Sequence, residues 1–192
     1  MGSDKALLPL GDRNFLQIAL GNLAEACNTK PMIVGNRDFL GSYGSVVEDL
    51  IPNCGPLGGI HAALSATDSE WNVMLSVDMP LMRPEFLRWL IGKTAQVPAS
   101  TIVPRVGGHT QPLCALYRRS ALPACEKLLS AGDYKIDGLF AEVPTLLVAE
   151  AEIRNAGFAP EIFQNVNTPG EYEKILQAHG RSPTVKPSHG RR

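Results

Sequence analysis

Asp78 stands directly after the most convincing apolar run of the chain, Trp71-Asn72-Val73-Met74-Leu75-Ser76-Val77. Such a run suits a strand buried on both faces, which puts the carboxylate at the C-terminal edge of a sheet. There Mg²⁺ can take one or two carboxylates together with phosphate oxygens. The same carboxylate would equally serve as a cap where Met79-Pro80 begins a turn, and the residues alone support both roles. A second charge of interest opens the chain. In Met1-Gly2-Ser3-Asp4-Lys5 a flexible glycine and adjacent opposite charges lead straight into the apolar run Ala6-Leu7-Leu8, which is how half of a phosphate-gripping loop would read. A solvated lysine near a terminus is the rival reading. Glu48 and Asp49 follow a weaker strand signal, Val46-Val47. Gly55-Pro56-Leu57-Gly58-Gly59 lets backbone approach a ligand closely, because a glycine lacks the Cβ that would keep it away. Asn165 and Asn167 alternate about Val166, so in an extended segment both amides face one side. They suit a ligand rich in hydrogen-bonding edges, although Asn167-Thr168-Pro169 also reads as a helix cap.

Positioning these groups requires alternating strands and helices. Asn14 can cap a helix to about Ala26, with Phe15, Ile18, Ala19, Leu23 and Ala26 on one face. Pro31-Met32-Ile33-Val34 is a short buried strand closed by Gly35-Asn36-Arg37. Ile60 to Ala66 reads as a helix with the glycine pair before it, leaving N–H groups open to an anion. Arg83-Pro84-Glu85 starts a helix to about Lys93. Thr101 to Pro104 and Pro112 to Tyr117 are predicted strands joined through Gly107-Gly108-His109-Thr110-Gln111, an antiparallel pair. Helices from Ser120 to Ser130, Ile136 to Ala141 and Pro169 to Ala178, with a strand at Leu146 to Val148, complete the reading. The fold class is α/β: one Rossmann-like domain, a mostly parallel sheet with one antiparallel strand, helices on both faces, and ligands at the strands' C-terminal ends.

Composition narrows the function classes. The 192 residues suit one domain. Eighteen basic against nineteen acidic residues leave a net charge of -1, so no field of one sign invites nucleic acid or an anionic membrane. No apolar run approaches a bilayer span and no signal-peptide pattern opens the chain, so a cytoplasmic protein is expected. Cys27, Cys54, Cys114 and Cys125 lack any Cys-x-x-Cys pairing and are expected to be reduced and packed. His61 on a predicted helix reads as packing, and His179 and His189 lie at or in the tail. Residues 179 to 192, which from Gly180 hold four basic residues against no acidic one, are expected to be a disordered basic tail after a domain spanning residues 1 to 178.

Four motifs in order, Met1-Gly2-Ser3-Asp4-Lys5-Ala6, Gly55-Pro56-Leu57-Gly58-Gly59-Ile60, Ser76-Val77-Asp78-Met79-Pro80 and Asn165-Val166-Asn167-Thr168-Pro169, resemble those of the molybdenum cofactor guanylyltransferases, the MobA family. The resemblance runs from Met1 to about Gln177. It implies transfer of GMP from GTP to the molybdopterin-bound cofactor with release of pyrophosphate. It further implies Mg²⁺ on Asp78, with Lys5 and Asp78 as the catalytic pair. Lys5, Asn36, Asp49, Gly55, Pro56, Leu57 and Asp78 would hold the nucleotide, and His109, Gln111, Asn165 and Asn167 would lie on the molybdopterin side. Expected partners are GTP and molybdopterin, with cofactor-synthesis proteins and apo-molybdoenzymes beyond them. A cytidylyltransferase acting on molybdopterin, a sugar-phosphate nucleotidyltransferase and a non-catalytic cofactor-binding relative are the alternatives.

In that family the Met-Gly-x-Asp-Lys run is preceded by a hydrophobic strand and a Leu-Ala-Gly-Gly type loop ending in Arg, whereas this sequence begins at the Met. The resemblance therefore implies an N-terminally incomplete domain. The strands near Ile33 and Leu75 are expected to lack their shared neighbour, which makes residues 1 to 192 alone poorly stable and nearly inactive.

Overall fold

A computed structural model describes residues 3–48, 51, 54–95 and 97–180. The chain enters through a 3₁₀ turn, Ser3–Leu7, and a two-residue hairpin, β1 (Pro9–Leu10) and β2 (Arg13–Asn14), turned by Gly11 at φ 62°. Helix α1 (Phe15–Cys27) starts where the sequence predicts. The Asn14 side chain accepts from Gln17 N–H at 2.8 Å while Gln17 Oε1 accepts from Asn14 N–H, a reciprocal cap that satisfies two otherwise orphaned donors. Asn28 ends it in the left-handed region.

A small parallel pair follows, β3 (Ile33–Val34) and β4 (Val46–Val47), separated by the one-turn helix α2 (Arg37–Leu40). Helix α3 (Gly55–Ser65) begins earlier than the expected Ile60, so the glycine run forms its first turn rather than the loop before it. Pro56 in the first turn supplies a preset φ. Leu57, Ile60 and Leu64, each at most 1% exposed, provide the packing that overrides the poor helix propensity of three glycines.

The main sheet holds β5 (Trp71–Leu75), β6 (Thr101–Val106), β7 (His109–Thr110), β8 (Cys114–Arg118) and β9 (Thr145–Ala149), in the order β5-β8-β6-β7 with β9 on the far side of β6. β8 runs antiparallel to both neighbours, while β9 is parallel to β6. β5, β6 and β9 therefore point the same way, with β8 as the reversed strand between two of them. Helices α4 (Pro84–Ile91), α5 (Leu122–Ser130), α6 (Ile136–Glu142) and α7 (Glu150–Asn155) clothe it, while α8 (Pro169–Gly180) packs through Ile175 against Phe15 and Ile18 of α1.

Two cores lie on opposite faces of this sheet. One joins Phe86, Leu87 and Leu90 of α4 to Ile102, Leu116 and Ile153, and the other joins Leu57, Ile60 and Leu64 of α3 to Val103, Tyr117 and Leu139. At about 25 cal/mol per Å² of apolar surface, these two layers carry most of the folding drive. Three cysteines, Cys54, Cys114 and Cys125, are buried in them, and burial pushes the Cys125 thiol up to about 12.

β3 and β5 belong to different sheets among the described residues. Between them lies a cleft of about 920 Å³. All five residues of β5 are only half-buried, although the sequence predicts this strand to be covered on both faces. No helix among the described residues is long and apolar enough to cross a membrane. The expected tail falls in two parts: Gly180 still belongs to α8, and residues 181 to 192 lie outside the described residues.

Candidate functional site

The site is assembled where β5 ends. Asp78 sits in the turn beyond the strand, and its carbonyl accepts the Val166 N–H at 2.9 Å, docking the distant segment 164–168 against this turn. The Val166 side chain is fully buried among Leu10, Phe15, Ile18 and Ile175. That anchor, with the alternation of an extended chain, sends the Asn165 and Asn167 side chains away from the apolar cluster. The far end of the segment is held by Glu171 in the first turn of α8, whose carboxylate accepts from Asn167 N–H at 2.7 Å and Thr168 N–H at 2.9 Å. The Asn167 N–H, ahead of its Thr168 counterpart, holds the Glu171 carboxyl below the usual glutamate range.

Lys5 reaches the same place from the other terminus. Ala6 beside it is buried against Leu16, Ile33, Leu40 and Val46, which fixes the 3₁₀ turn. The Lys5 ammonium donates to Asn167 Oδ1 at 2.8 Å. A cation and an amide that the resemblance assigns to opposite substrates are thus bonded directly, across a sequence separation of 162 residues.

Two acceptors in this cluster stand out chemically. Asp78 Oδ1 and Asn165 Oδ1 are both buried and neither has a hydrogen-bond partner among the described residues. A buried carboxylate oxygen without a donor is costly, by about 1 to 3 kcal/mol or more, and a divalent cation would relieve that cost. The donor set fits Mg²⁺, which is held by few protein oxygens and completes its shell with phosphates and water. No group of three His, Cys, Asp or Glu residues with metal-holding geometry occurs among the described residues, so such an ion would depend on its substrate for most of its ligands.

The remaining candidates are placed less directly. Asn36 caps α2, its side chain accepting from Phe39 N–H at 3.1 Å. Asp49 lies outside the described residues. Its neighbour and rival Glu48 is tied to Arg37 at the start of α2. Gly55 at φ 58° and Pro56 are exposed at the head of α3, with open space around the glycine. Leu57 is a fully buried core residue, so only its backbone can face a nucleotide. Gly58 sits in tight packing: a Cβ there would lie 3.0 Å from Cys54 Cβ.

His109 is exposed beside the Gly107-Gly108 turn, both glycines having positive φ. Gln111 is half-buried, and its carbonyl accepts from Cys114 N–H. The next residues run alongside the end of β5, Leu113 O accepting from Ser76 N–H at 2.6 Å. Neither the His109 nor the Gln111 side chain bonds to Lys5, Asp78, Asn165 or Asn167 among the described residues. Glu171 is the residue holding this segment that the sequence reading missed; Thr168 followed by Glu171 three positions on is the signature of a reciprocal helix cap and could have found it.

Residues 1–146 match the model of the MobA-like NTP transferase domain. A probable molybdenum cofactor guanylyltransferase of Pelotomaculum thermopropionicum is 34% identical, the alignment covering 96% of this chain and 91% of that protein. A probable molybdenum cofactor guanylyltransferase of Carboxydothermus hydrogenoformans is 29% identical over 92% of this chain and 89% of its own length. Among solved structures, the molybdopterin-guanine dinucleotide biosynthesis protein A of Archaeoglobus fulgidus has the same fold, with a TM-score of 0.79 at 22% identity over 93% of this chain and 91% of that one. With a family match spanning about three quarters of its length and relatives aligned almost end to end, the chain belongs to the MobA-like NTP transferase family.

Proposed function

We propose that this protein transfers GMP from GTP to the phosphate of molybdopterin-bound molybdenum cofactor. The bond between the α-phosphorus and the bridging oxygen of GTP breaks, a new bond forms from the α-phosphorus to the acceptor phosphate oxygen, and pyrophosphate leaves. The observation that carries this reading is the meeting of Asp78, Lys5, Asn165 and Asn167 at the end of β5, with two buried oxygens lacking partners among the described residues.

Each residue has a role suited to its chemistry. Asp78 would hold Mg²⁺, which when bound neutralises charge gathering on the phosphates. Lys5 serves as a compact point charge for the triphosphate, and its ammonium has donors to spare beyond the Asn167 bond. The exposed head of α3 at Gly55 offers the positive end of a helix to an anion, Pro56 contributing no N–H. Asn165 and Asn167 present amide edges to the acceptor, with His109 and Gln111 on the same side. Asn36 and Asp49 are the remaining residues we assign to the nucleotide. The acceptor phosphate is already nucleophilic at neutral pH, so positioning and charge neutralisation suffice without a general base. The protein would act in the cytoplasm and pass its product to apo-molybdoenzymes.

Incubation with molybdopterin-bound cofactor, Mg²⁺ and either GTP or CTP, following pyrophosphate release, tests the proposal. GTP should support turnover and CTP should not. Preferential use of CTP would reassign the protein as a cytidylyltransferase, and cofactor binding without pyrophosphate release from either nucleotide would make it a non-catalytic relative.

A further inference from the structure

Two segments far apart in sequence are tied to each other twice. Lys5 donates to Asn167 Oδ1, and further along the same two segments the Pro9 carbonyl accepts from the Tyr172 hydroxyl at 2.6 Å, so the ties span 162 and 163 residues and lie in step. On the C-terminal side both ties are organised by the first turn of α8. Thr168 and Glu171 close that turn on itself: the Glu171 N–H donates to Thr168 Oγ1 at 3.3 Å, while the Glu171 carboxylate takes the N–H groups of Asn167 and Thr168. Tyr172 comes next, its N–H on Thr168 O at 3.1 Å and its ring edge-on to Phe15, with centroids 5.9 Å apart at 72°. The turn thus grips Asn167 by its backbone and the N-terminal segment by Pro9.

From Pro9 the hold passes back to Lys5 over a short stretch. Phe15 N–H donates to Leu8 O at 3.1 Å, and Leu8 N–H to Lys5 O at 3.2 Å. A lysine stem is flexible, so where its ammonium points depends on where its backbone is held. We propose, on the phosphate role given to Lys5 above, that Tyr172 is a positioning residue: its hydroxyl, acting through Pro9, sets the N-terminal segment where the Lys5 ammonium meets Asn167 Oδ1 and the triphosphate together. Apolar packing alone does not account for the hydroxyl, because the ring contact with Phe15 would be made equally by a phenylalanine. An O–H on a carbonyl adds direction, and a charged group misplaced by about 1 Å can cost on the order of a hundredfold in rate. Pro9 is exposed, so when the hydroxyl is removed water can take the carbonyl and the fold is kept.

Tyr172→Phe, Lys5→Ala and the double variant test this in two ways. One is isothermal titration with GTP and Mg²⁺ well below the Tm of each variant. The other is the NMR signal of the Asn167 side-chain amide without ligand, assigned by its absence from Asn167→Ala. Tyr172→Phe should weaken GTP binding about three- to tenfold, less than Lys5→Ala does, and should move the Asn167 amide signal toward its position in Lys5→Ala. In the Lys5→Ala background the same substitution should change GTP affinity by less than about twofold, because no ammonium remains to be positioned. A merely structural contact would lower Tm by a few degrees and leave GTP affinity and the amide signal where they were, and that result overturns the proposal. Equal weakening in both backgrounds also overturns it, since Tyr172 would then act elsewhere than on Lys5. If Lys5→Ala itself binds GTP as the unaltered protein does, the phosphate reading of Lys5 fails and the amide signal decides the positioning: a shift in Tyr172→Phe keeps Tyr172 as the residue that sets Lys5 on Asn167, and no shift overturns it.

Discussion

Replacing Lys5 by alanine tests the phosphate grip at the point where the geometry is most specific. The Lys5 ammonium bonds to Asn167 Oδ1 at 2.8 Å and remains half-exposed. An ammonium has three donors, so phosphate oxygens can be bound without giving up the amide. A hydrogen bond to a charged group contributes about 1.5 to 3 kcal/mol, and partial exposure argues for the lower part of that range. A loss near 2 kcal/mol corresponds to GTP affinity weakened about 30-fold. Isothermal titration with GTP and Mg²⁺ reads this directly. Asn167→Ala serves as the companion, since it removes the amide but not the charge: GTP affinity should change by less than about threefold, while KM for the molybdopterin acceptor rises. If Lys5→Ala binds GTP within about twofold of the unaltered protein, Lys5 does not hold the triphosphate and the assignment of the N-terminal turn is wrong.

Further outcomes follow from the same geometry. Leu57→Ala should cost about 3 kcal/mol, because the side chain is fully buried between Ile60, Val103 and Tyr117; thermal melting should show a Tm drop of roughly 6–12 °C. Gly58→Ala should destabilise by about 1 to 3 kcal/mol in chemical denaturation, since its Cβ would meet Cys54 Cβ at 3.0 Å. Glu171 has its pKa lowered on folding, so its contribution is present above the unfolded value near 4.3 and is lost as pH falls through the lower folded value. The Tm advantage of the unaltered protein over Glu171→Ala should accordingly be constant above about pH 5 and shrink below about pH 4, as melts across that range would show.

Much of this architecture was legible because its signals are local. Asn14 with Gln17 spelled out the start of α1, and the apolar run ending in Asp78 placed β5 and its carboxylate. The alternation around Val166 puts both amides on one side of the segment, and Val166 between them is buried. Elements decided by tertiary packing were harder to read. The start of α3 at Gly55 was hidden because three glycines argue against helix, and only the burial of Leu57 and Ile60 overrides them. The hairpin of β1 and β2 has two residues per strand, too short for any periodicity. Placing β8 between β5 and β6 depends on pairing across more than 40 residues, such as Trp71 with Arg118, which no local pattern encodes. The Lys5–Asn167 bond joins the ends of the chain and is a property of the fold alone.

The central claim, that the Asp78 carboxylate, whose Oδ1 is buried without a hydrogen-bond partner among the described residues, is what lets this site accept a triphosphate, is tested most directly by Asp78→Asn, which keeps the shape of the side chain and removes its charge. Pyrophosphate release from GTP with Mg²⁺ and cofactor should fall about a hundredfold or more, since a metal contributes several kcal/mol to such a transition state and each 1.36 kcal/mol is tenfold in rate. An Asp78→Asn protein with an unchanged melting temperature and a rate within about twofold of the original would contradict the account.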